Sequence, residues 1–371
     1  MTGVYVHIPF CRQSCIYCNF FFLNGNARSA ELVQSLLREI DLRINKIGNS
    51  IDTIYFGGGT PSFIDPELIQ AITTKLRALS NVAPAEITLE ANPDDITKER
   101  LAAWKQAGIN RLSLGVQSFH QHHLKWMNRA HNVTQAESAI EAALAQGFEL
   151  SIDLIFGIPG STDEEWQYNL QKANAYNIQH LSCYGLTLEE NTPWKKLITT
   201  KNYGKPDDSL AAAQFNMAME YLQSQGWEHY EISNYCRTGY RARHNTAYWQ
   251  DKPYVGIGPS AHSFDGNSRS WNVADINAYI QAIEKRELPM ETEQLGNREK
   301  YNEYVMTRLR TIWGLDPVQM SAFGFNMVKI IQKLEHYLAE GMVAIRNGNY
   351  VLTNEGKLYA DAIAASLFAE D

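Results

Sequence analysis

The sequence lacks any apolar run that approaches the roughly 20 residues needed to cross a bilayer, which argues against an integral membrane protein. Cysteine is scarce: 5 in 371 residues, an odd number, with no signal-peptide pattern before them, which argues against a disulfide framework. Excess positive charge is also absent, and the net charge of -8 disfavours a broad nucleic-acid surface. The length and the ordinary 44% hydrophobic content allow two or three globular domains.

Three of the five cysteines lie together near the start of the chain, in the run CRQSCIYC: Cys11, Cys15 and Cys18. The spacing Cys-x3-Cys-x2-Cys supplies three thiolates and no obvious fourth ligand, whereas a structural zinc site has four. His7 is near but lies inside a predicted strand. A four-iron cluster on three cysteines instead leaves one iron open for a small molecule. We therefore favour a [4Fe–4S] cluster over zinc or plain reduced thiols.

The surroundings of these cysteines suit a cluster. An apolar run, Val4–Ile8, precedes them, and Phe10, Tyr17 and Phe20 lie close in sequence. Apolar walls exclude water from a cluster and help to tune its potential. Thiolate ligands also imply a reducing compartment, so we expect a cytoplasmic protein. The two remaining cysteines, at 183 and 236, read as ordinary buried thiols.

The first half of the chain alternates strand and helix patterns. The predicted strands are Val4–Ile8, Thr53–Phe56, Glu86–Glu90, Arg111–Gly115, Leu150–Phe156 and His180–Leu186. The predicted helices are Ala30–Ile47 with Ser29 as N-cap, Pro66–Leu79, Lys98–Ala107, Gln135–Ala145 and Thr162–Ala175. Six β/α units predict an α/β fold, a parallel sheet forming a partial (β/α)6 barrel of the TIM type with helices outside.

Polar residues and glycines gather at the ends of the predicted strands, where active sites collect in such folds. They are Gly57, Gly58, Gly59, Thr60, Glu90, Gln117, Arg129 and Asp153. A glycine run also suits a simple tight turn, and a buried acid beside an arginine also suits a structural ion pair. Their convergence on one rim favours a polar, charged ligand.

The pattern changes after residue 187. Residues 188–296 read as an irregular connecting region, with one helix at Leu210–Gln225 and a stretch rich in Tyr, His, Gly and Arg. Residues 297–371 turn helical and then contain a hairpin centred on Asn347-Gly348-Asn349, before a final helix at Glu355–Phe368. This order resembles a winged helix, and its few basic residues favour a packing role over DNA binding. We therefore expect three domains, 1–187, 188–296 and 297–371.

Several motifs together resemble a known family. YVHIPFCRQSCIYCNF, FGGGTPS, LEANPDD, RLSLGVQSF, NRAH and SIDLIFGIPG are similar to the radical S-adenosylmethionine (SAM) proteins grouped with oxygen-independent coproporphyrinogen III oxidase. The resemblance covers essentially the whole chain, including LTNEGKLYADAI near its end. The group contains the oxidase itself and the HemW-type heme chaperones. It implies a radical SAM barrel with a small C-terminal domain.

The resemblance also implies roles for individual residues. Cys11, Cys15 and Cys18 would hold the cluster, and its open iron would chelate SAM. The implied SAM contacts are Tyr5, Gly58, Gly59, Thr60, Glu90, Gln117, Arg129 and Asp153. Arginine suits a carboxylate and an acid suits ribose hydroxyls. The oxidase binds two SAM molecules, and Gln117, Arg129 and Asp153 match positions tied to the second.

Three departures separate the chain from the oxidase and favour the chaperone. The oxidase has a fourth cysteine where this chain has Phe20, and it has a longer segment before its cluster loop. The stretch from His244 to Trp249 matches the HNxxYW motif of the chaperones. The resemblance makes His244 a candidate axial heme ligand, beside the flat faces of Tyr248 and Trp249.

Other residues near this motif are candidates for the same ligand. Arg241 and Arg243 could pair with heme propionates, and His262 is a weaker candidate for lining the cavity.

We thus expect a heme chaperone with a SAM-coordinated cluster, which binds heme and passes it to an acceptor protein. The first alternative is the oxidase activity, radical decarboxylation of coproporphyrinogen III propionates. A second is a radical SAM enzyme acting on another substrate, such as RNA, which the acidic balance disfavours. The sequence identifies neither the acceptor, for which a respiratory enzyme is one candidate, nor the electron donor.

Overall fold

The computed structural model describes residues 2–201 and 203–369, and in this part of the chain it has sixteen strands and sixteen helices. The strands are β1 (Thr2–Ile8), β2 (Phe10–Cys11), β3 (Leu23–Asn24), β4 (Ile51–Gly58), β5 (Glu86–Ala91), β6 (Arg111–Gln117), β7 (Glu149–Phe156), β8 (His180–Gly185), β9 (Glu228–Glu231), β10 (Asn234–Cys236), β11 (Tyr254–Ile257), β12 (His262–Phe264), β13 (Ser268–Asn272), β14 (Met290–Gln294), β15 (Val343–Arg346) and β16 (Asn349–Leu352). The helices are α1 (Ser29–Leu42), α2 (Ile44–Ile47), α3 (Pro66–Leu79), α4 (Lys98–Gln106), α5 (Gln121–Trp126), α6 (Val133–Ala145), α7 (Asp163–Ala175), α8 (Pro193–Lys201), α9 (Asp208–Ser224), α10 (Arg243–Trp249), α11 (Ile276–Glu284), α12 (Asn297–Leu309), α13 (Pro317–Ala322), α14 (Met327–Ala339), α15 (Asn354–Lys357) and α16 (Ala360–Ser366).

Twelve strands form one sheet, in the order β14-β13-β12-β11-β1-β4-β5-β6-β7-β8-β10-β9. Its seven central strands, β11 to β8 in that order, are parallel to their neighbours. The six predicted strands are confirmed within a few residues at their ends. Among the described strands, β9 and β14 are the two edges and do not pair, so the barrel stays open on one side.

The seventh parallel strand, β11, comes from the region that the sequence predicts to be irregular. It pairs with β1 in the register Val4 to Val255. Its four residues are too few to show a period, and it follows a polar, Tyr-rich stretch. The same region supplies the antiparallel strands at both edges of the sheet. The division into three domains remains a prediction.

Helix α1 packs Leu32, Leu36 and Ile40 into the core. The predicted helix Ala30–Ile47 is wrong in its continuity, because it breaks at Arg43. There the guanidinium turns inward and donates to the Gly256 carbonyl at 2.6 Å. Its Nη1 also lies 3.2 Å from a carboxylate oxygen of Glu39.

The predicted N-cap at Ser29 is also wrong, because Ser29 is already the first helical residue. Its backbone N–H donates to the Asn26 carbonyl at 2.9 Å, which starts the turn earlier. The N-cap position belongs to Arg28, whose side chain makes no capping bond and instead pairs with Glu31.

The C-terminal unit has a hydrophobic core of its own, built by α12 to α16 and the hairpin β15–β16. The predicted hairpin is confirmed. The predicted final helix Glu355–Phe368 is two helices, α15 and α16, separated at Leu358 and Tyr359. None of the described helices combines the length and apolar composition needed to cross a membrane.

Candidate functional site

The three-cysteine loop follows β1 at the carboxyl end of the parallel strands. Its short strands β2 and β3 pair in parallel, and the Leu23 N–H donates to the Pro9 carbonyl at 2.6 Å. Cys11 is buried, Cys15 and Cys18 are half-buried, and all three are free thiols. One loop therefore presents three thiols beside the strand ends where the other candidate residues lie.

A cation and a hydroxyl contact the thiols. Arg129 Nη1 donates to Cys15 Sγ at 3.1 Å, and Thr60 Oγ1 donates to Cys11 Sγ at 3.5 Å. Burial raises the pKa of Cys11 to about 11, an effect that Thr60 and Arg129 oppose. Because metal ligation uses the thiolate, these two contacts favour the form that binds iron.

The glycine turn after β4 packs directly against the cysteine loop. Gly58 has φ 116°, a region that favours glycine, and a Cβ there would lie 2.7 Å from the His7 ring. A Cβ on Gly59 would lie 2.9 Å from the Phe10 carbonyl oxygen and 3.0 Å from Cys11 Sγ. The turn thus needs glycine to let the two backbones approach.

Two carboxyl groups face each other inside the barrel. Tyr55 donates to Glu90 Oε1 at 2.8 Å, and Ser113 donates to both carboxylate oxygens of Asp153 at 3.1–3.2 Å. Burial, with a smaller contribution from Asp153, raises the pKa of Glu90 to about 7. Burial also raises the pKa of Asp153. A ligand with a positive charge would relieve this electrostatic cost.

Three polar side chains converge over Gly115 in β6. Arg129 Nη2 donates to Asn92 Oδ1 at 2.6 Å and to the Gly115 carbonyl at 3.0 Å. A Cβ on Gly115 would lie 2.8 Å from Gln117 Nε2. Gln117 has φ 67°, and the register with β7 shifts between Leu114 and Gln117. The irregular end of β6 therefore aims Gln117 at Arg129.

A series of stacked rings leads from the cysteine loop into the barrel. His7 Nε2 lies 3.2 Å from the Phe21 carbonyl, and its Nδ1 lies 3.2 Å from the Tyr5 hydroxyl. The Tyr5 ring stacks on Tyr55 with centroids 6.1 Å apart, and Tyr55 stacks on His244 at 5.1 Å. Tyr5 thus links the loop to the opposite end of the sheet.

His244 lies at the amino end of the parallel strands, far along the barrel from the cysteines. Its Nδ1 is 2.7 Å from Thr53 Oγ1, and its Nε2 is 2.7 Å from the Tyr248 hydroxyl. The Glu86 carboxylate accepts its backbone N–H at 3.0 Å, which positions the start of α10. The side chain is 1% exposed, and burial lowers its pKa to about 3. Both ring nitrogens are therefore occupied.

A cavity of about 440 Å³ opens beside α10, on the open side of the barrel. Tyr248, Trp249 and Tyr254 line it with aromatic surface, and Lys252 and Arg269 contribute cations. Tyr248 and Tyr254 pack edge to face with centroids 4.5 Å apart. The His244 imidazole lies behind the Tyr248 hydroxyl and does not line the cavity.

Three other residues near the motif do not line this cavity, and their propionate and lining roles stay predictions. Arg241 pairs with Glu228 and lies over the Trp313 ring. The Arg243 backbone N–H donates to Glu86. His262 is exposed and its ring lies beside Trp271.

Comparison with known proteins gives the family. The model of the radical SAM superfamily matches residues 5–173. Heme chaperone HemW of Mycobacterium tuberculosis is 33% identical over 373 residues, covering 98% of this chain and 94% of that protein. HemW of Bacillus subtilis is 31% identical over the whole length of both chains, and HemW of Escherichia coli is 32% identical over 99% of this chain and 98% of that one. The chain belongs to the HemW family of radical SAM proteins.

The fold of this HemW-family chain also matches a solved structure. It superposes on the coproporphyrinogen III oxidase HemN of Escherichia coli with a TM-score of 0.84 and 21% identity, over 99% of this chain and 90% of that one. The match confirms the predicted radical SAM barrel with a C-terminal domain. At this identity the likeness concerns the fold alone.

The HemW-family site thus brings most of the predicted residues to one end of the barrel. The cysteines, the glycine turn, Glu90, Gln117, Arg129 and Asp153 meet there, while His244 lies at the other end. Sequence reasoning missed Asn92, which receives the Arg129 bond, and Ser113, which holds Asp153. The only sequence feature that could have indicated them is their position, since Asn92 directly follows β5 and Ser113 lies within β6. The ligand roles of all these residues remain predictions.

Proposed function

We propose that the chain is a cytoplasmic heme chaperone that binds heme at the α10 cavity and transfers it to an acceptor protein. The relatives named above are called heme chaperones and match this chain over nearly their full length, which supports the assignment. The observation that carries it is the cavity itself, because the HNxxYW segment supplies its aromatic surface. A volume of about 440 Å³ lies within the usual range for organic ligands.

The cluster site of this proposal is the three-cysteine loop. Cys11, Cys15 and Cys18 would hold a [4Fe–4S] cluster, and three thiols with no fourth cysteine nearby fit a cluster with one open iron. A bound, reduced cluster supplies an electron to SAM. Phe20 is 69% exposed, so the position that is a fourth cysteine in the oxidase pattern offers no ligand here.

The SAM site would lie over the same end of the barrel. Glu90 and Asp153 supply negative charge for the ammonium and sulfonium groups and the ribose, and Arg129 supplies a cation for the carboxylate. Gln117, Tyr5, Gly58, Gly59 and Thr60 complete the predicted contacts. The raised pKa of Glu90 supports this assignment, since a cationic ligand would stabilise the ionised carboxylate.

Heme would enter the cavity with its propionates toward Lys252 and Arg269 and its ring against Trp249. We assign the iron to the Tyr248 oxygen, because Tyr248 lines the cavity, His244 does not, and tyrosinate is a known axial ligand of ferric heme. His244 then acts through Tyr248: its Nε2 bonds to the Tyr248 hydroxyl and its Nδ1 bonds to the Thr53 hydroxyl, so the neutral imidazole holds the phenol in place. His244 thus keeps its predicted place in the heme site as a positioning residue.

The test is heme binding and release by the purified, cluster-loaded chain. We expect one ferric heme per chain in absorption titrations, and weaker binding in Trp249→Ala, with apomyoglobin as the acceptor that times release. Equal binding by Trp249→Ala would refute the α10 cavity as the heme site. An anaerobic reaction with SAM, reductant and coproporphyrinogen III tests the oxidase alternative. Decarboxylated porphyrinogen in the mass spectrum would make the chain an oxidase instead.

A further inference from the structure

Three histidines, His120, His122 and His123, lie together where the start of α5 meets the first turn of α7. The ring centroids of His122 and His123 are 4.2 Å apart, those of His120 and His123 5.3 Å, and those of His120 and His122 5.7 Å. Neither the cluster site nor the heme cavity uses them, so their arrangement needs another explanation.

All three rings approach one residue, Glu165 in the first turn of α7. His122 Nε2 lies 2.9 Å from Glu165 Oε1, and His123 Nε2 lies 3.4 Å from Oε2. His120 Nε2 lies 3.1 Å from the Glu165 backbone carbonyl. One ligand atom from each of His120, His122 and Glu165 falls within 4.8 Å of the other two. These atoms surround a common point without filling it.

His123 gives the second, independent observation. Its side chain is buried, and in the part of the chain that the structure describes Glu165 Oε2, at 3.4 Å, is the one polar atom paired with its Nε2. Its Nδ1 is held at 3.0 Å by the Ser118 hydroxyl, which Asn169 fixes in turn. Metal-binding histidines are commonly oriented in this way through the ring nitrogen that does not bind the metal. Nε2 is thus buried, oriented toward Glu165 and close enough to share a cation with its carboxylate.

We propose that His120, His122, His123 and Glu165 form a binding site for a divalent transition-metal cation of the Zn²⁺, Ni²⁺ and Co²⁺ class. Three imidazoles and one carboxylate select such borderline cations over Mg²⁺ and Ca²⁺, which prefer oxygen ligands. Bond lengths of about 2.0–2.2 Å require the ligand atoms to close on the ion by small side-chain rotations, which the exposed His122 allows.

The site has a structural consequence for the barrel. Ser118 follows Gln117, whose side chain, like that of Arg129, lies over Gly115 at the candidate SAM site. A cation that joins His123 to Glu165 would tie this end of β6 to α7. Its binding should therefore raise the thermal stability of the chain.

Co²⁺ titration of the cluster-loaded chain, with any affinity tag removed, tests the proposal. Loading the cluster first occupies the three cysteines. We expect one Co²⁺ per chain, d–d absorption without a thiolate charge-transfer band, and a rise in Tm. His122→Ala should weaken binding by about tenfold or more and remove the rise in Tm. Glu165→Gln should do the same while its amide oxygen keeps the α7 capping bond to Thr162.

The matched control is His336→Ala. His336 also pairs with a glutamate, at 3.3 Å from Glu340, but without the other histidines. Its removal should leave the stoichiometry, affinity and spectrum of Co²⁺ binding unchanged. No binding at millimolar Co²⁺, a thiolate band, or equal affinity in His122→Ala and Glu165→Gln to that of the unmodified chain would each overturn the proposal.

Discussion

The Tyr248 hydroxyl lies 2.7 Å from Nε2 of His244, and it separates this imidazole from the cavity. The histidine is held on its other side by Thr53, also at 2.7 Å. A heme in the cavity would therefore meet the tyrosine oxygen first. The hydrogen bond orients the phenol. Burial lowers the pKa of His244 and raises that of Tyr248, so a phenolic proton displaced by ferric iron would go to solvent and not to the imidazole.

Tyr248→Phe removes this oxygen and keeps the aromatic ring in the cavity. We expect the ferric heme complex to lose the tyrosinate charge-transfer band, and the affinity to fall by about tenfold or more. Absorption and electron paramagnetic resonance of the heme complex measure both. Tyr240→Phe is the control, because Tyr240 is exposed and close in sequence. A wild-type spectrum in Tyr248→Phe together with loss of heme in His244→Ala would assign the iron to His244.

The strands that carry the cluster site could be predicted because each is a short apolar run with a polar group at its end. Parallel strands bring those ends to one edge, so Glu90, Gln117 and Asp153 could be grouped from the sequence alone. The cysteine motif needed only its spacing. These features could be predicted because each is contained in a short stretch of sequence.

The other half of the site depends on contacts that the local pattern does not contain. Val4 pairs with Val255 across most of the chain, and the Glu86 carboxylate fixes the backbone of His244. Neither contact has a periodic signal. The sequence therefore suggested that His244 binds heme directly, and it could not reveal that Tyr248 covers it.

Arg43 and Glu39 form a buried ion pair, so Arg43→Met should destabilise the chain by about 3–5 kcal/mol. The loss is large because Glu39 would stay buried with its charge less well compensated. The Tyr279 hydroxyl, 2.5 Å from a Glu39 carboxylate oxygen, would still donate to it.

Chemical denaturation of the metal-free chain measures the free energy of unfolding. Arg28→Met is the matched control, because its pair with Glu31 is exposed and screened by solvent, so its loss should have a much smaller effect. Equal effects of both substitutions would contradict this assignment.

Gly59→Ala should lower the iron content per chain after reconstitution. The added Cβ would lie 3.0 Å from Cys11 Sγ and 2.9 Å from the Phe10 carbonyl oxygen, so the cysteine loop must shift. Iron and sulfide analysis measures the loss. Gly160→Ala is the control, since a Cβ there meets open space and costs only the strain of its positive φ, about 1 kcal/mol. Full iron content in Gly59→Ala would show that the loop can move without losing a ligand.

Glu90 should make SAM binding depend on pH near neutrality. Burial raises its pKa from 4.5 to about 7, so the ligand-free folded chain holds this proton more tightly than the unfolded chain. The protonated carboxyl group therefore stabilises the folded chain below pH 4.5, and this stabilisation is lost as the pH rises from 4.5 to 7. A cationic SAM favours the ionised carboxylate, so its affinity should increase over the same interval and level off above pH 7. Anaerobic calorimetry of SAM binding to the cluster-loaded chain at a series of pH values measures how the affinity changes with pH.

Glu90→Gln should bind SAM more weakly and lose this pH dependence, while the exposed Glu340→Gln should keep both the affinity and its pH dependence. A slope that survives in Glu90→Gln would place the titrating group elsewhere in the site, with Asp153 as the next carboxyl to test.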